Sequence, residues 1–165
     1  MLHIYYGNGK GKTTASVGLA VRSAGAGMKV VFMQFLKNGS SSEISVLKKL
    51  ENIEVICCEE CSKFTFQMSD SEKQTVFDAH DKMIRYALES NADLIVLDEF
   101  LDAYNSQLLT ADLADTLIYS KNTELVLTGR NPSKKLIEYA DYASEINAVK
   151  HPYSKGVRAR KGIEY

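Results

Sequence analysis

Apolar and polar positions follow two different periods along this chain. Short apolar runs of the kind that form buried strands lie at residues 2–6, 29–35, 53–57, 93–98, 124–128 and 142–149. Between them, apolar residues recur every three or four positions, which is typical of helices that cover a sheet. This spacing predicts helices at residues 12–25, 43–50, 70–90 and 110–119, with one more after Pro132. Alternating strands and helices indicate an α/β protein with a mostly parallel sheet and helices on both faces.

Two local signals mark where helices begin. Ser69 is followed three residues later by Glu72, which is the spacing of a capping box at the start of the third helix. Asn131 and Pro132 form the second signal, because asparagine favours the N-cap and proline favours the first helical position. His80 lies in the apolar stripe of the third helix, where a packed histidine is favoured over a catalytic one.

Composition then limits the class of protein. The chain has 165 residues, of which 45% are hydrophobic and 25% are charged, so a single globular domain over residues 1–165 is expected and a disordered chain is excluded. Lys and Arg number 20 against 21 acidic residues, and this balance argues against a nucleic-acid partner. The N-terminal residues lack a basic region and a long apolar core, and no apolar run is long enough to cross a bilayer. A soluble, cytoplasmic protein without a membrane partner is expected.

The cysteines are clustered. Cys57, Cys58 and Cys61 lie within five residues, and an odd clustered set is not a disulfide framework. Cys58 and Cys61 have metal-ligand spacing, but Cys57 is the only further thiol, and a structural zinc site normally has four protein ligands. Reduced thiols at a strand end are the favoured interpretation, with a zinc site as the alternative.

The strongest chemical signal is the segment GNGKGKTT, which joins the first predicted strand to the first predicted helix. Glycines let backbone N–H groups approach an anion closely, and the helix N-terminus adds a positive dipole end. The segment is a variant of the pattern G-x-x-x-x-G-K-[ST], because Tyr6 stands where the first glycine would be. We expect nucleotide phosphates to be bound by Gly7, Asn8, Gly9, Lys10, Gly11, Lys12, Thr13 and Thr14.

Three side chains of this loop have separate predicted roles. Lys12 supplies a mobile positive charge for phosphate oxygens, and Thr13 offers a hydroxyl to a hydrated Mg²⁺ ion. Mn²⁺ would suit the same oxygen ligands. Lys10 either contacts phosphate or is solvated, and charge alone does not choose between the two.

Further polar residues follow two later strands. Asp98 and Glu99 end the apolar run at 93–98, at the sheet edge where ligands bind in open α/β folds. A carboxylate there can hold Mg²⁺ or its water, although Asp98 could instead cap a following helix. Arg130 follows the strand at 124–128, and it either binds a phosphate with two donors or pairs with a surface acid.

These residues, taken in order, resemble the ATP:corrinoid adenosyltransferases of the CobA/CobO type over almost the whole chain. The matching segments are GNGKGKTTA at 7–15, QFLK at 34–37, FTF at 64–66, DE at 98–99, TGR at 128–130, and the tail with VKH at 149–151, GV at 156–157 and GIEY at 162–165. The loop alone is moderately specific for the family, whereas the ordered set is highly specific.

The resemblance implies a P-loop NTPase-like (RecA-like) fold and a reaction in which a Co(I) corrinoid attacks C5′ of ATP and triphosphate leaves. It implies that Lys12 and Arg130 are catalytic, that the loop and Arg130 bind ATP, and that Phe64 and Phe66 pack on the corrin. Mg²⁺ or Mn²⁺ is expected at Thr13, Asp98 and Glu99. A reductase or flavodoxin-type electron donor and a homodimer are the expected partners.

Alternative interpretations remain at this stage. Phe64 and Phe66 could form a small hydrophobic cluster under their loop, and Phe66 stands where the family often has Trp. The whole chain could instead be a P-loop nucleoside kinase, or a nucleotide- or corrinoid-binding module without catalysis.

Overall fold

The computed structural model describes residues 1–120 and 122–165. The strands are β1 (Leu2–Tyr6), β2 (Val30–Gln34), β3 (Ile53–Cys57), β4 (Leu94–Asp98), β5 (Glu124–Gly129) and β6 (Tyr142–Glu145). The helices are α1 (Lys12–Gly25), α2 (Ser42–Leu47), α3 (Asp70–Glu89), α4 (Phe100–Asn105), α5 (Ala111–Ser120) and α6 (Lys134–Tyr139), with short 3₁₀ turns at Thr65–Gln67 and Pro152–Lys155.

In the described part of the chain, the six strands form one sheet in the order β3-β2-β4-β5-β1-β6, and every neighbouring pair is parallel. β4 is buried along its whole length, as its uninterrupted apolar sequence predicts for a central strand. The α/β class and the parallel sheet predicted from the sequence are therefore confirmed. Within the described residues, no helix has the length and apolar character that crossing a membrane requires.

Side chains of a strand alternate between the two faces of the sheet. Both faces of this sheet carry apolar side chains, and helices cover both of them. In β4, Ile95 and Leu97 pack with α3, α4 and α5, whereas Leu94 and Val96 pack on the side of α1 and α2. The two resulting cores hold the carboxyl ends of the strands in a rigid frame, and the site described below lies at that edge.

The start of α3 was predicted correctly. Ser69 Oγ accepts a hydrogen bond from the Glu72 amide at 3.3 Å, and Glu72 Oε2 accepts one from the Ser69 amide at 2.8 Å, which completes the capping box.

The predicted start of α6 was wrong by two residues. Asn131 has a φ of 50°, in the left-handed region, whereas an N-cap residue needs an extended backbone. Ser133 has that extended backbone, and its hydroxyl accepts from the Leu136 amide at 3.1 Å. Ser133 is therefore the N-cap, and Pro132 precedes the helix.

Candidate functional site

The carboxyl ends of β1, β4 and β5 border a cleft of about 570 Å³. It is lined by Asn8, Gly9, Lys10, Gly11, Lys12, Thr13, Thr14, Leu36, Lys37, Lys63, Phe64, Thr65, Met68, Glu99, Asp102, Ser106, Thr128, Gly129, Arg130, His151, Ile163 and Glu164. The residues that the sequence singled out on three separate strands thus meet in one cleft, except that Gly7, Asp98 and Phe66 lie outside its lining.

The loop between β1 and α1 rests on the backbone that follows β6. The Gly9 amide donates to the Ile146 carbonyl at 2.7 Å, and the Ile146 amide donates to the Tyr6 carbonyl at 2.7 Å. A Cβ atom on Gly7 would lie 2.5 Å from the Ile146 oxygen, and one on Gly9 would lie 2.7 Å from it. These two glycines are needed for that close approach, a reason that the sequence pattern does not reveal.

The ammonium group of Lys12 lies within the loop. Its Nζ donates to the Gly9 carbonyl at 2.8 Å. Burial, followed by the positive charge of Arg130, lowers the pKa of Lys12 below its ordinary value. Two cations, Lys12 and Arg130, thus face the same cleft, and an anion between them would relieve their repulsion. Lys10 also lines the cleft, on an exposed part of the loop.

Asp98, at the end of β4, is fully buried and accepts hydrogen bonds from four side chains. The donors are Thr128 Oγ1 at 2.7 Å, Thr13 Oγ1 at 2.8 Å, Lys37 Nζ at 3.0 Å and Gln34 Nε2 at 3.3 Å. Glu99, and not Asp98, is the N-cap residue of α4. The carboxylate of Asp98 therefore positions Thr13 at the start of α1, which argues against the helix-capping alternative.

Lys37 is a site residue whose role sequence reasoning missed. Besides Asp98, its Nζ lies 3.2 Å from Glu99 Oε1 and 3.4 Å from Thr13 Oγ1. Burial favours a lower pKa for Lys37, but the adjacent carboxylates of Asp98 and Glu99 outweigh it and raise the pKa. Lys37 therefore stays protonated. Burial raises the pKa of Glu99, against the opposing charge of Lys37.

Asp102 on α4 is a second residue that the sequence did not reveal. It lines the cleft beside Arg130, and burial raises the pKa of its carboxyl group while the charge of Arg130 opposes the rise. The turn of Arg130 is held by Asn105, whose Nδ2 donates to the Arg130 carbonyl at 2.9 Å. Asp102 and Asn105 both lie on α4, which begins directly after β4 and is too short to show a clear helical period. The sequence therefore offered no signal for these two residues.

Phe64 and Phe66 lie on the surface rather than in a cluster under the loop. Their exposed fractions are 72% and 80%, and their rings stack 5.6 Å apart at 9°. Lys63 Nζ bonds to Glu72 Oε1 at 2.6 Å, which ties this aromatic segment to α3. The hydrophobic-cluster alternative is therefore wrong, and Phe64 faces the cleft that the phosphate-binding loop also lines.

The C-terminal residues, for which the sequence pattern predicted no structure, cover one side of the cleft. Ile163 and Glu164 line it, and Ser42 Oγ at the start of α2 donates to the main-chain oxygen of Tyr165 at 3.0 Å. Arg160 donates two side-chain bonds to Glu164, at 3.1 and 3.2 Å, and these close the tail into a turn.

A glycine-rich loop between a parallel strand and a helix, with Lys12 and Thr13 in the cleft and Thr13 bonded to a buried aspartate on a neighbouring strand, defines a P-loop nucleotide-binding protein. The comparison with known sequences narrows this class. The family described as ATP:corrinoid adenosyltransferase BtuR/CobO/CobP matches residues 1–165, and the chain belongs to this family.

Curated relatives agree with that assignment. The chain is 32% identical to a corrinoid adenosyltransferase of Pseudomonas aeruginosa over 100% of this chain and 83% of the relative. It is 31% identical to one of Escherichia coli over 98% of this chain and 84% of the relative. It is 30% identical to corrinoid adenosyltransferase CobA of Salmonella typhimurium, again over 98% and 84%. The resemblance found from the ordered motifs is confirmed.

Proposed function

We propose that this protein transfers the 5′-deoxyadenosyl group of ATP to the Co(I) ion of a corrinoid and releases triphosphate. The observation that carries the proposal is one cleft lined both by the glycine-rich loop and by Phe64, whose exposed ring stacks on that of Phe66. A nucleoside kinase would need the loop but has no need of two large exposed aromatic rings near it. The kinase and carrier alternatives are not favoured.

In this reaction the electron pair of Co(I) attacks C5′ of ATP. A Co–C bond forms, the bond from C5′ to the triphosphate oxygen breaks, and its electrons leave on triphosphate. The corrinoid substrate supplies the nucleophile, so the protein has to position C5′ and stabilise the leaving charge. We propose that the loop from Gly7 to Thr14 binds the phosphates, and that Lys12 and Arg130 stabilise the charge that develops on triphosphate.

We propose that Phe64 and Phe66 bind the corrin ring. Flat aromatic faces exposed to solvent bury large apolar area when a planar ligand stacks on them, and their rings are already parallel. Phe66 lacks the N–H that a Trp would offer, but it keeps the apolar bulk that would exclude water from the cobalt.

The oxygen donors beside the loop suit a hard divalent cation such as Mg²⁺ or Mn²⁺. We propose that Thr13 and Glu99 hold this ion and that Asp98, fully buried and bonded to Thr13 at 2.8 Å, acts on it through the Thr13 hydroxyl. The ion would neutralise part of the triphosphate charge. Lys37 contacts all three residues, and its positive charge offsets part of the negative charge of Asp98 and Glu99.

The partners follow from the chemistry of the substrate. Co(I) is made by adding one electron to Co(II), so we propose a reductase or a flavodoxin-type protein as the electron donor. A homodimer and a cytoplasmic location stay predictions from the sequence.

The direct test is an anaerobic assay with chemically reduced cob(I)alamin, ATP and Mg²⁺. We expect the Co(I) absorption to disappear while one triphosphate appears per adenosylated corrinoid. Chemical reduction removes the electron donor from the experiment, so its identity does not affect the result. ATP binding without either product would contradict the proposal, whereas transfer of the γ-phosphate to an added nucleoside, with release of ADP, would favour the kinase.

A further inference from the structure

A cluster of soft ligands lies beneath the aromatic segment, apart from the nucleotide site. Cys58 Sγ and Cys61 Sγ are 2.8 Å apart, and Cys61 Sγ is 3.8 Å from His80 Nε2. The three ligand atoms lie within 4.8 Å of one another. Cys58 and Cys61 are 1% and 6% exposed, and His80 is fully buried. All three cysteines are free thiols.

The imidazole of His80 is oriented as in a metal ligand. Its Nδ1 lies 2.8 Å from the carbonyl oxygen of Leu108, and a carbonyl can only accept, so Nδ1 carries the proton. Nε2 then presents its lone pair toward the two sulfur atoms. Metal-binding histidines commonly donate their other ring nitrogen to a backbone carbonyl in this way, because that bond holds the tautomer and the ring orientation.

We propose that Cys58, Cys61 and His80 bind a Zn²⁺ ion. Two thiolates and one imidazole are the ligands that zinc prefers in proteins. In a tetrahedral zinc site two sulfur ligands lie about 3.7 Å apart, so the Cys58 and Cys61 sulfurs need to separate by about 1 Å. Glu60 offers an oxygen ligand for a fourth position, because its Oε2 lies 3.8 Å from Cys58 Sγ.

The sequence pattern concealed this site because its third ligand comes from another element. Near the Cys58-x-x-Cys61 pair in sequence, Cys57 is the only residue that could supply a third thiolate ligand. Cys57 instead belongs to the opposite face of the sheet, where its Sγ lies 3.9 Å from Gln34 Oε1. His80, 19 residues beyond Cys61, reaches the pair from α3.

The position of the cluster indicates what the ion would do. Cys61 precedes Phe64 by three residues, and His80 lies on α3 with its ring bonded to the backbone before α5. A zinc ion would join the base of the aromatic segment to α3 directly, and to the backbone before α5 through the hydrogen bond of His80. The ion is therefore structural, and it holds the segment that carries Phe64 and Phe66 in place.

A disulfide between Cys58 and Cys61 is the competing use of these thiols. It would need an oxidant to reach two buried sulfurs, and it would leave the orientation of His80 unexplained. The two possibilities are separated by measuring metal and free thiols together.

The experiment uses the full chain without an affinity tag, purified without chelator and without corrinoid. We expect about one zinc per chain by elemental analysis, with Cys58 and Cys61 protected from alkylation until the ion is removed. Replacing zinc with Co²⁺ should produce the intense sulfur-to-cobalt charge-transfer band of a thiolate site. Cys61→Ser and His80→Asn should each lower zinc affinity at least about tenfold.

Cys57→Ser is the matched control, because it removes the adjacent thiol on the other face and should keep the full zinc content. If Cys61→Ser does not fold, competition between the wild-type protein and a chelator of known affinity still measures binding. The proposal is overturned if the wild-type chain takes up no zinc, if Cys58 and Cys61 are isolated as a disulfide, or if Cys57→Ser loses as much zinc as Cys61→Ser. None of these readouts depends on adenosyl transfer, so their failure would leave the proposed function intact.

Discussion

At the scale of single residues, the polar groups of the cleft are organised around Asp98. Four side chains from β2, the segment after β2, β5 and the start of α1 donate to one buried carboxylate. A buried charge is tolerated when every lone pair has a donor, and this network holds Thr13 beside the loop. Lys12, by contrast, donates a hydrogen bond to a loop carbonyl, and it can exchange this acceptor for a phosphate oxygen.

Replacing Lys12 with alanine should lower kcat by about 10²–10³-fold, since the variant lacks a positive charge where triphosphate leaves. The anaerobic cob(I)alamin assay measures this. Lys10→Ala is the control, because Lys10 is an exposed cation of the same loop. Equal losses in the two variants would show that only the general positive charge of the loop matters.

Glu99 should set an acid limit on activity. Burial raises the pKa of Glu99, so as the pH falls through that raised value the carboxylate is protonated before an ordinary glutamate would be. A protonated Glu99 cannot hold the cation, and kcat/KM for ATP should fall at low pH. In Glu99→Gln this fall of kcat/KM at low pH should vanish, and kcat/KM at higher pH should be lower than in the wild type. An unchanged fall at low pH in the variant would assign the titration to another group.

At the scale of elements, the phosphate-binding loop depends on a strand at the sheet edge. β6 is exposed along its length, yet the backbone after it bonds to both Tyr6 and Gly9. The shape of the loop is thus determined partly by a segment more than a hundred residues away in sequence, and we expect nucleotide binding to depend on it.

Gly9→Ala tests this dependence. The added Cβ would lie 2.7 Å from the Ile146 oxygen and 2.8 Å from the Asn147 carbonyl carbon, so the loop must shift. A displacement near 1 Å costs about 10²-fold in kcat/KM. Gly18→Ala, on α1 with open space around it, should keep full activity and gain about 0.5–1 kcal/mol in the free energy of unfolding. Wild-type ATP affinity in Gly9→Ala would contradict this account of the loop.

Phe66→Ala tests the aromatic segment. Phe66 is 80% exposed, so its loss should change the free energy of unfolding by less than about 0.5 kcal/mol. Adenosylation that starts from Co(II) should suffer more than transfer from preformed Co(I), because the ring acts on the environment of cobalt. Met68→Ala, which removes a buried side chain of the same segment, should instead destabilise the fold by about 2–3 kcal/mol. Equal loss in the two activity assays would limit Phe66 to positioning its loop.

At the scale of the whole molecule, the parallel sheet assembles the site by bringing the carboxyl ends of β1, β4 and β5 together. The tail completes it from a different direction, with Ile163 and Glu164 in the wall of the cleft and Tyr165 bonded to α2. ATP binding should therefore depend on residues that lie far from the loop in sequence.

Removing residues 160–165 should weaken ATP binding, because Ile163 and Glu164 would no longer line the cleft, and should leave Tm unchanged, since these residues are exposed. Calorimetric titration with ATP measures the affinity. Ser42→Ala removes only the bond to Tyr165 and should have a smaller effect. Wild-type affinity in the truncated chain would mean that the tail does not contact the nucleotide.

Most elements of the fold were predictable because their signals are local. The capping box of Ser69 and Glu72 and the apolar run of β4 each follow from neighbouring residues. α4 was missed because it is short and begins directly after β4, where Glu99 has a left-handed backbone and no capping signal marks the start of a helix. Asn131 was assigned the wrong role because its left-handed backbone depends on the turn after β5, which composition does not reveal.

The sequence by itself determined the class of fold, the family and the place of the glycine-rich loop between β1 and α1, because strand–helix alternation and ordered motifs are properties of the linear chain. Only the tertiary structure decided how residues distant in sequence meet. It placed Lys37 between two carboxylates, set Gly9 against Ile146, exposed Phe64 and Phe66, and turned His80 toward Cys58 and Cys61. The physical reason is that such contacts depend on the order of strands and the rotation of helices, which are settled by packing the two cores and by no local pattern.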